Sequence, residues 1–183
     1  MGKILRYLPI FTAAVLACAF AACNTSGCTD NRSSIPLAKF YSSSSLKEIS
    51  LDSLEITGVG APDSAILLVP GTKVSEIHLP MRATAKTTAW CFAYRWADLD
   101  SPANNDTISF SYDAEPYFAS DECGAMYRYR ITDMTHTSHL IDSVALVSPL
   151  ITNIDDVDIS IYFRNAEETP ANARSSKPSI KRQ

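Results

Sequence analysis

The sequence predicts an all-β domain, an antiparallel β-sandwich of about eight or nine short strands, with a closed β-barrel as the alternative. Three observations carry this expectation. Apolar and polar residues alternate over short runs between Ile35 and Phe163, the period of a strand with one buried face. Gly and Pro fall mostly at the breaks, as in Gly60-Ala61-Pro62-Asp63 and Pro70-Gly71, where their backbone preferences favour turns. No stretch carries an apolar stripe of helical period over about 12 residues.

Ile35–Tyr41 gives the first strand and Ser42–Ser45 a loop. Ser53–Gly58 alternates, with Leu54 and Ile56 inward and Glu55 and Thr57 outward. Ala65–Val69 and Val74–Leu79 follow, and Pro80 stops the second. Thr87–Tyr94 is rich in aromatic residues and sets Trp90, Phe92 and Tyr94 on one face. Asp98–Asp106 reads as a hairpin-type loop into Thr107–Tyr112. Residues 113–124, with Pro116 and Gly124, read as a longer connection and the expected binding loop. Met126–Ile131, Asp142–Val147 and Val157–Phe163 complete the set. Tyr127 and Tyr129 are expected in the core. Trp96, Tyr112, Tyr117 and Phe118 are candidates for a face binding sugar rings or peptide, although alternating aromatics are more often core.

The N-terminus carries an address. Lys3 and Arg6 precede an uncharged apolar run from Leu8 to Ala22, which suits a signal peptide and is short for a spanning helix. Small residues crowd its end before Cys23, in a pattern that resembles a lipobox with Phe20 where Leu is usual. Residues 1–22 are therefore expected to be a lipoprotein signal peptide, with Cys23 the lipidated residue and Cys18 the other candidate. Acyl chains would hold the protein to a membrane without a helix. Residues 23–34 form a polar tether, 35–165 the β-sandwich domain, and 166–183 a basic tail expected to be disordered. Residues 28–168 hold ten Lys and Arg against all 20 Asp and Glu. That acidic body argues against nucleic acid as a partner.

An oxidising compartment permits disulfides. Cys91 sits in an aromatic strand and suits a buried small apolar residue, so Cys28 and Cys123 are the preferred pair. Closing that loop is worth about 4–5 kcal/mol in the chain-entropy view. His136, His139 and Asp142 form the one cluster with metal-ligand spacing; hydrogen-bonded turn residues are its plainer reading. Asp155, Asp156 and Asp158 lack the Gly and terminal Glu of a calcium loop. Glu115, Asp121 and Glu122 could supply a carboxylate pair for glycoside hydrolysis. No nucleotide, zinc-protease or serine-hydrolase motif is present, and no cofactor is expected.

The stretch Ser120–Phe163, with Ser-Asp-Glu-Cys-Gly, Tyr-Arg-Tyr, Thr-Ser-His-Leu-Ile-Asp-Ser-Val and Ile-Tyr-Phe, resembles a family of uncharacterised lipoproteins from Bacteroides-type bacteria. The resemblance implies a compartment and no catalytic residues. It also implies a modification. Such bacteria attach O-glycans at Asp, then Ser or Thr, then an apolar residue or Thr. Here that pattern would mark Ser53, Ser64, Thr107 and Ser143. Local backbone capping by the same side chains explains these residues equally well. Surface export in such lipoproteins follows an acidic run after the lipidated Cys, whereas Asn24-Thr25-Ser26-Gly27 follows Cys23. The expected location is therefore the outer membrane, facing the periplasm. The expected function is a non-catalytic structural or binding module with an envelope protein or glycan as partner. A glycan hydrolase using the acidic residues, or a small-ligand carrier if the strands close into a barrel, are the alternatives.

Overall fold

The computed structural model describes residues 33–61, 66–96, 98–121 and 123–164. Among these, ten strands form two sheets: β1 (Leu37–Ser42), β2 (Leu54–Gly58), β3 (Ile66–Leu68), β4 (Glu76–His78), β5 (Thr87–Tyr94), β6 (Asp106–Ser120), β7 (Gly124–His136), β8 (Ile141–Leu146), β9 (Leu150–Ile151) and β10 (Val157–Phe163). One sheet has the order β4-β1-β10-β8, the other β3-β2-β5-β6-β7-β9. Every strand pair is antiparallel except β1 with β10. The barrel is thus not closed; the layers face each other across one core, as in a sandwich.

Alternation builds that core. Leu54 and Ile56 of β2, Trp90, Phe92 and Tyr94 of β5, and Ile108, Phe110 and Tyr112 of β6 are buried. Phe40 of β1 and Ile159, Ile161 and Phe163 of β10 oppose them from the other sheet. Phe40 and Phe163 meet edge to face at 5.4 Å between ring centroids. A bulge on β7 keeps its inward face in phase. Ser111 pairs with Asp133 and Tyr112 with Ile131, so Thr132 is the extra residue. Met134 and Ile131 can then both pack on the core despite their odd spacing.

Residues 113–124 correct the expectation of a loop. β6 runs on through Ser120, and β7 begins at Gly124. Glu115 pairs with Arg128, Pro116 with Tyr127, Tyr117 with Met126 and Phe118 with Ala125. β9 joins β7 at Tyr129 and Arg130, so the rungs beyond form a two-stranded arm. Pro116 is tolerated because such an arm leaves one side of each strand without a neighbour. Gly124 enters the turn at φ 71°, a left-handed conformation that suits glycine. Tyr112, one of the candidates for a binding face, is core, whereas Tyr127, expected in the core, is 45 % exposed. β9 was not anticipated from the sequence at all.

Candidate functional site

The arm has two unlike faces. Paired residues share a face, so Pro116, Tyr127, Phe118 and Ala125 continue the line of Tyr112, Ile131, Ala114 and Tyr129 beyond the core. Phe118 is 64 % exposed there. The opposite face is polar and braced. Arg128 donates from Nε and Nη2 to Glu115 Oε2 at 3.1 and 2.9 Å and lies 5.8 Å from the Tyr117 ring centroid. The Tyr117 hydroxyl donates to Asn153 Oδ1 at 2.9 Å and accepts from the Asn153 N–H at 3.2 Å. Ser34, fully buried, donates to Met126 Sδ at 3.6 Å. The chain entering from the N-terminus therefore packs against the arm.

A second feature lies on the face of the six-stranded sheet turned away from the core. A hollow of about 320 Å3 has Val59, Arg82, Thr87, Ser109, Ser111 and Thr135 among its lining residues. Among the described residues no carboxylate lies within ion-pair distance of the Arg82 guanidinium. Tyr112 holds that segment from beneath. Its hydroxyl accepts from the Arg82 N–H at 3.0 Å, donates to the Arg82 carbonyl at 3.1 Å, and lies 2.7 Å from Thr88 Oγ1. The arrangement sets one cation and several hydroxyls on this face, with Asp133 beside Ser111 on the neighbouring strand. Sequence reading did not single out Arg82, because nothing local distinguishes it from other surface cations.

Among the described residues the most heavily bonded carboxylate is Asp106. It occupies the core-facing register of β6 and is fully buried. Oδ1 accepts from Thr137 Oγ1 and the His139 N–H, and Oδ2 from the Tyr94 hydroxyl and the N–H groups of Leu140 and Ile141, all at 2.8–3.0 Å. It thereby clips the crossing from β7 to β8, which joins the two sheets. Burial alone would raise its pKa, yet those donors bring it below the ordinary value. Asp158 on β10 is the counterexample. It accepts one hydrogen bond, from the Leu37 N–H at 3.1 Å, and burial, with Asp156 and Asp155 nearby, pushes its pKa up to about 6.

The sequence-derived site residues disperse. His136 Nδ1 lies 2.7 Å from the Thr137 carbonyl oxygen, and Asp142 accepts from Arg164 Nε at 2.8 Å. His139 contributes its backbone N–H to Asp106. Among the described residues no three His, Cys, Asp or Glu side chains are placed to share a metal ion. Asp155 pairs with His78 at 2.9 Å, apart from any cation loop. Glu115 is taken by Arg128, Asp121 is exposed at the tip of the arm, and Glu122 lies outside the described residues. Ser143 is exposed on β8, and Ser53 is half-buried, donating to Asp52 Oδ1 at 3.3 Å. Thr107 follows the buried Asp106. Cys91 is a free thiol. Cys123 donates its N–H to Ser120 Oγ at 3.1 Å. Cys18, Cys23, Cys28, Ser64 and the tail 166–183 lie outside the described residues.

A family model described as a family of unknown function, DUF6452, matches residues 53–163. No curated protein and no solved structure matches the chain.

Proposed function

The chain belongs to the DUF6452 family of unknown function, and we propose that it is an envelope lipoprotein, anchored through Cys23 in the outer membrane and facing the periplasm, whose β domain is a non-catalytic glycan-binding module. The observation that carries the module over the hydrolase is the separation of Glu115 from Asp121. Glu115 is ion-paired with Arg128 on the arm. Asp121 lies six residues further along, about 20 Å for extended chain, whereas glycoside hydrolysis needs two carboxylates roughly 5–10 Å apart. The hollow under Arg82 is the ligand face of the module: a guanidinium for a carboxylate and hydroxyls for sugar hydroxyls.

A Cys28–Cys123 bridge belongs to the same reading. Ser34, six residues after Cys28, contacts Met126, three residues after Cys123. Six extended residues reach about 20 Å, so the partners are within range. For O-glycans the accessible motif residues are Ser143 and, in part, Ser53, whereas the buried Asp106 withdraws the motif around Thr107 from a transferase.

The test is co-sedimentation of the full chain with purified peptidoglycan sacculi, a glycan rich in carboxylates. The chain is expected to pellet and Arg82→Glu to stay in solution, with no soluble sugar released. Release of soluble fragments would replace the module with the hydrolase. Equal pelleting of both chains would remove Arg82 from the ligand face.

A further inference from the structure

We propose that the free end of the β6–β7 arm rests on the lipid surface, with Phe118 and Tyr127 entering the headgroup region beside the acyl anchor. The inference rests on the lipoprotein reading and deepens it by assigning the membrane-facing pole of the domain.

Chain length sets the geometry. With Cys23 acylated, its backbone lies at the headgroup level. Cys28 follows five residues later, a reach of at most about 18 Å when fully extended. A bridge from Cys28 to Cys123 fixes the tip of the arm within that reach. The contact between buried Ser34 and Met126 brings the described chain to the same end; the eleven residues back to Cys23 reach at most about 40 Å, so it is the bridge that holds the anchor close. With that bridge the anchor belongs beside the arm and not at the opposite pole, where β1 ends at Ser42 and β10 at Phe163.

The surface presented there has the chemistry of an interface. Phe118 and Tyr127 lie on one face of the arm, 64 % and 45 % exposed, as a continuation of the core line past the last strand that covers it among the described residues. Ile154, in the loop that braces Tyr117 through its neighbour Asn153, is 60 % exposed. Aromatic side chains with one wet and one apolar end suit the headgroup level. The charges at this end do not form a basic patch. Arg128 is neutralised by Glu115, His78 is paired with Asp155, Asp121 is exposed at the turn, and Arg130, at the root of the arm, is an exposed cation without an ion pair among the described residues. Attraction to anionic lipid is therefore weak, and the contact is apolar, held by the anchor and insensitive to salt.

The experiment uses the full acylated chain in vesicles of phosphatidylethanolamine and phosphatidylglycerol containing lipid spin-labelled near the headgroup. Phe118→Trp and Tyr127→Trp each place a reporter at the tip. Leu46→Trp, at an exposed apolar position just past the end of β1, is the control for exposure alone. The emission added by either tip reporter is expected to shift to the blue and lose most of its intensity to the spin label, unchanged in high salt, while that of Leu46→Trp is unaffected. Metabolic labelling with an alkyne fatty acid runs in parallel, with Cys23→Ser as its control. Acyl label at Cys23 with unquenched tip reporters overturns the contact and leaves the anchor standing. Quenching of Leu46→Trp as strong as that of the tip overturns the orientation. Absence of label overturns the anchor, and the contact with it.

Discussion

Replacing Asp106 by Asn measures what the buried carboxylate contributes to joining the two sheets. The side chain keeps its size and loses its charge. An amide oxygen placed on the Oδ2 side still accepts from the Tyr94 hydroxyl and the N–H groups of Leu140 and Ile141, but the amide NH2 then faces the His139 N–H donor to donor. The Thr137 hydroxyl can rotate to accept. One partly buried N–H left without an acceptor costs about 1–3 kcal/mol, and weakening three charge-assisted bonds adds about 0.5–1 kcal/mol each. Relief from burying a charge offsets part of this. The expected loss is about 2–4 kcal/mol, out of a total stability on the order of 5–15 kcal/mol. Asp106→Ala strands all five donors and is expected not to accumulate as folded protein. The assay is urea unfolding of the chain carrying Cys23→Ser, followed through the fluorescence of buried Trp90, with a lower midpoint at unchanged slope. The pH dependence gives an independent check. Because the folded pKa of Asp106 lies below its ordinary value, its stabilisation is complete above about pH 4 and is lost as pH falls through the folded value. The difference between the chains should therefore hold constant near neutrality and shrink on acidification. A loss under about 1 kcal/mol, or a difference that widens in acid, would refute the reasoning.

Three further outcomes are expected. Asp158 has the opposite sign: its folded pKa is raised to about 6, so the protonated form contributes stability fully below about pH 4, and this is lost as pH rises through about 6. Asp158→Asn, which keeps an acceptor for the Leu37 N–H, should be neutral at about pH 4 and raise stability by about 1–2 kcal/mol at about pH 8, measured by thermal melts. Cys91 is a free thiol whose pKa burial pushes up, with the nearby Arg95 opposing. It should resist maleimide in the folded protein and react in denaturant, while Cys28 and Cys123 gain label only after reduction, as read from intact mass. Label on Cys123 without reductant would exclude the bridge. Tyr112→Phe removes the hydroxyl that bonds Thr88 and both backbone groups of Arg82, and should cost about 1–3 kcal/mol. Faster amide exchange at Arg82 is the accompanying sign, and unchanged exchange there would show that Tyr112 does not hold the rim of the hollow.

The residues that escaped sequence reading are those whose partners lie far away along the chain. Leu54, Ile56, Trp90, Phe92 and Tyr94 were legible because alternation is a local signal and burial follows it. Asp106 was not. Asn104-Asn105-Asp106 has the composition of a turn, and the five donors that place Asp106 in the core register lie at Tyr94 and between Thr137 and Ile141. The arm was missed for a related reason. Asp113, Glu115 and Pro116 have low strand propensity one by one, and extended backbone is favourable there only because β7 supplies the matching rungs. Charge pairing offered a clue: Glu115 and Arg128 flank the turn before Gly124 at similar distances, as facing residues of a hairpin do. Following that clue would have carried the alternation of Tyr112 and Ala114 on to Pro116 and Phe118. An apolar line of that kind, extending past the last strand able to cover it, marks residues facing something other than the core. The fold class was therefore readable from periodicity and turn residues, whereas the two features that give the domain its polarity, the Asp106 clip at one end and the exposed arm at the other, required the pairing register.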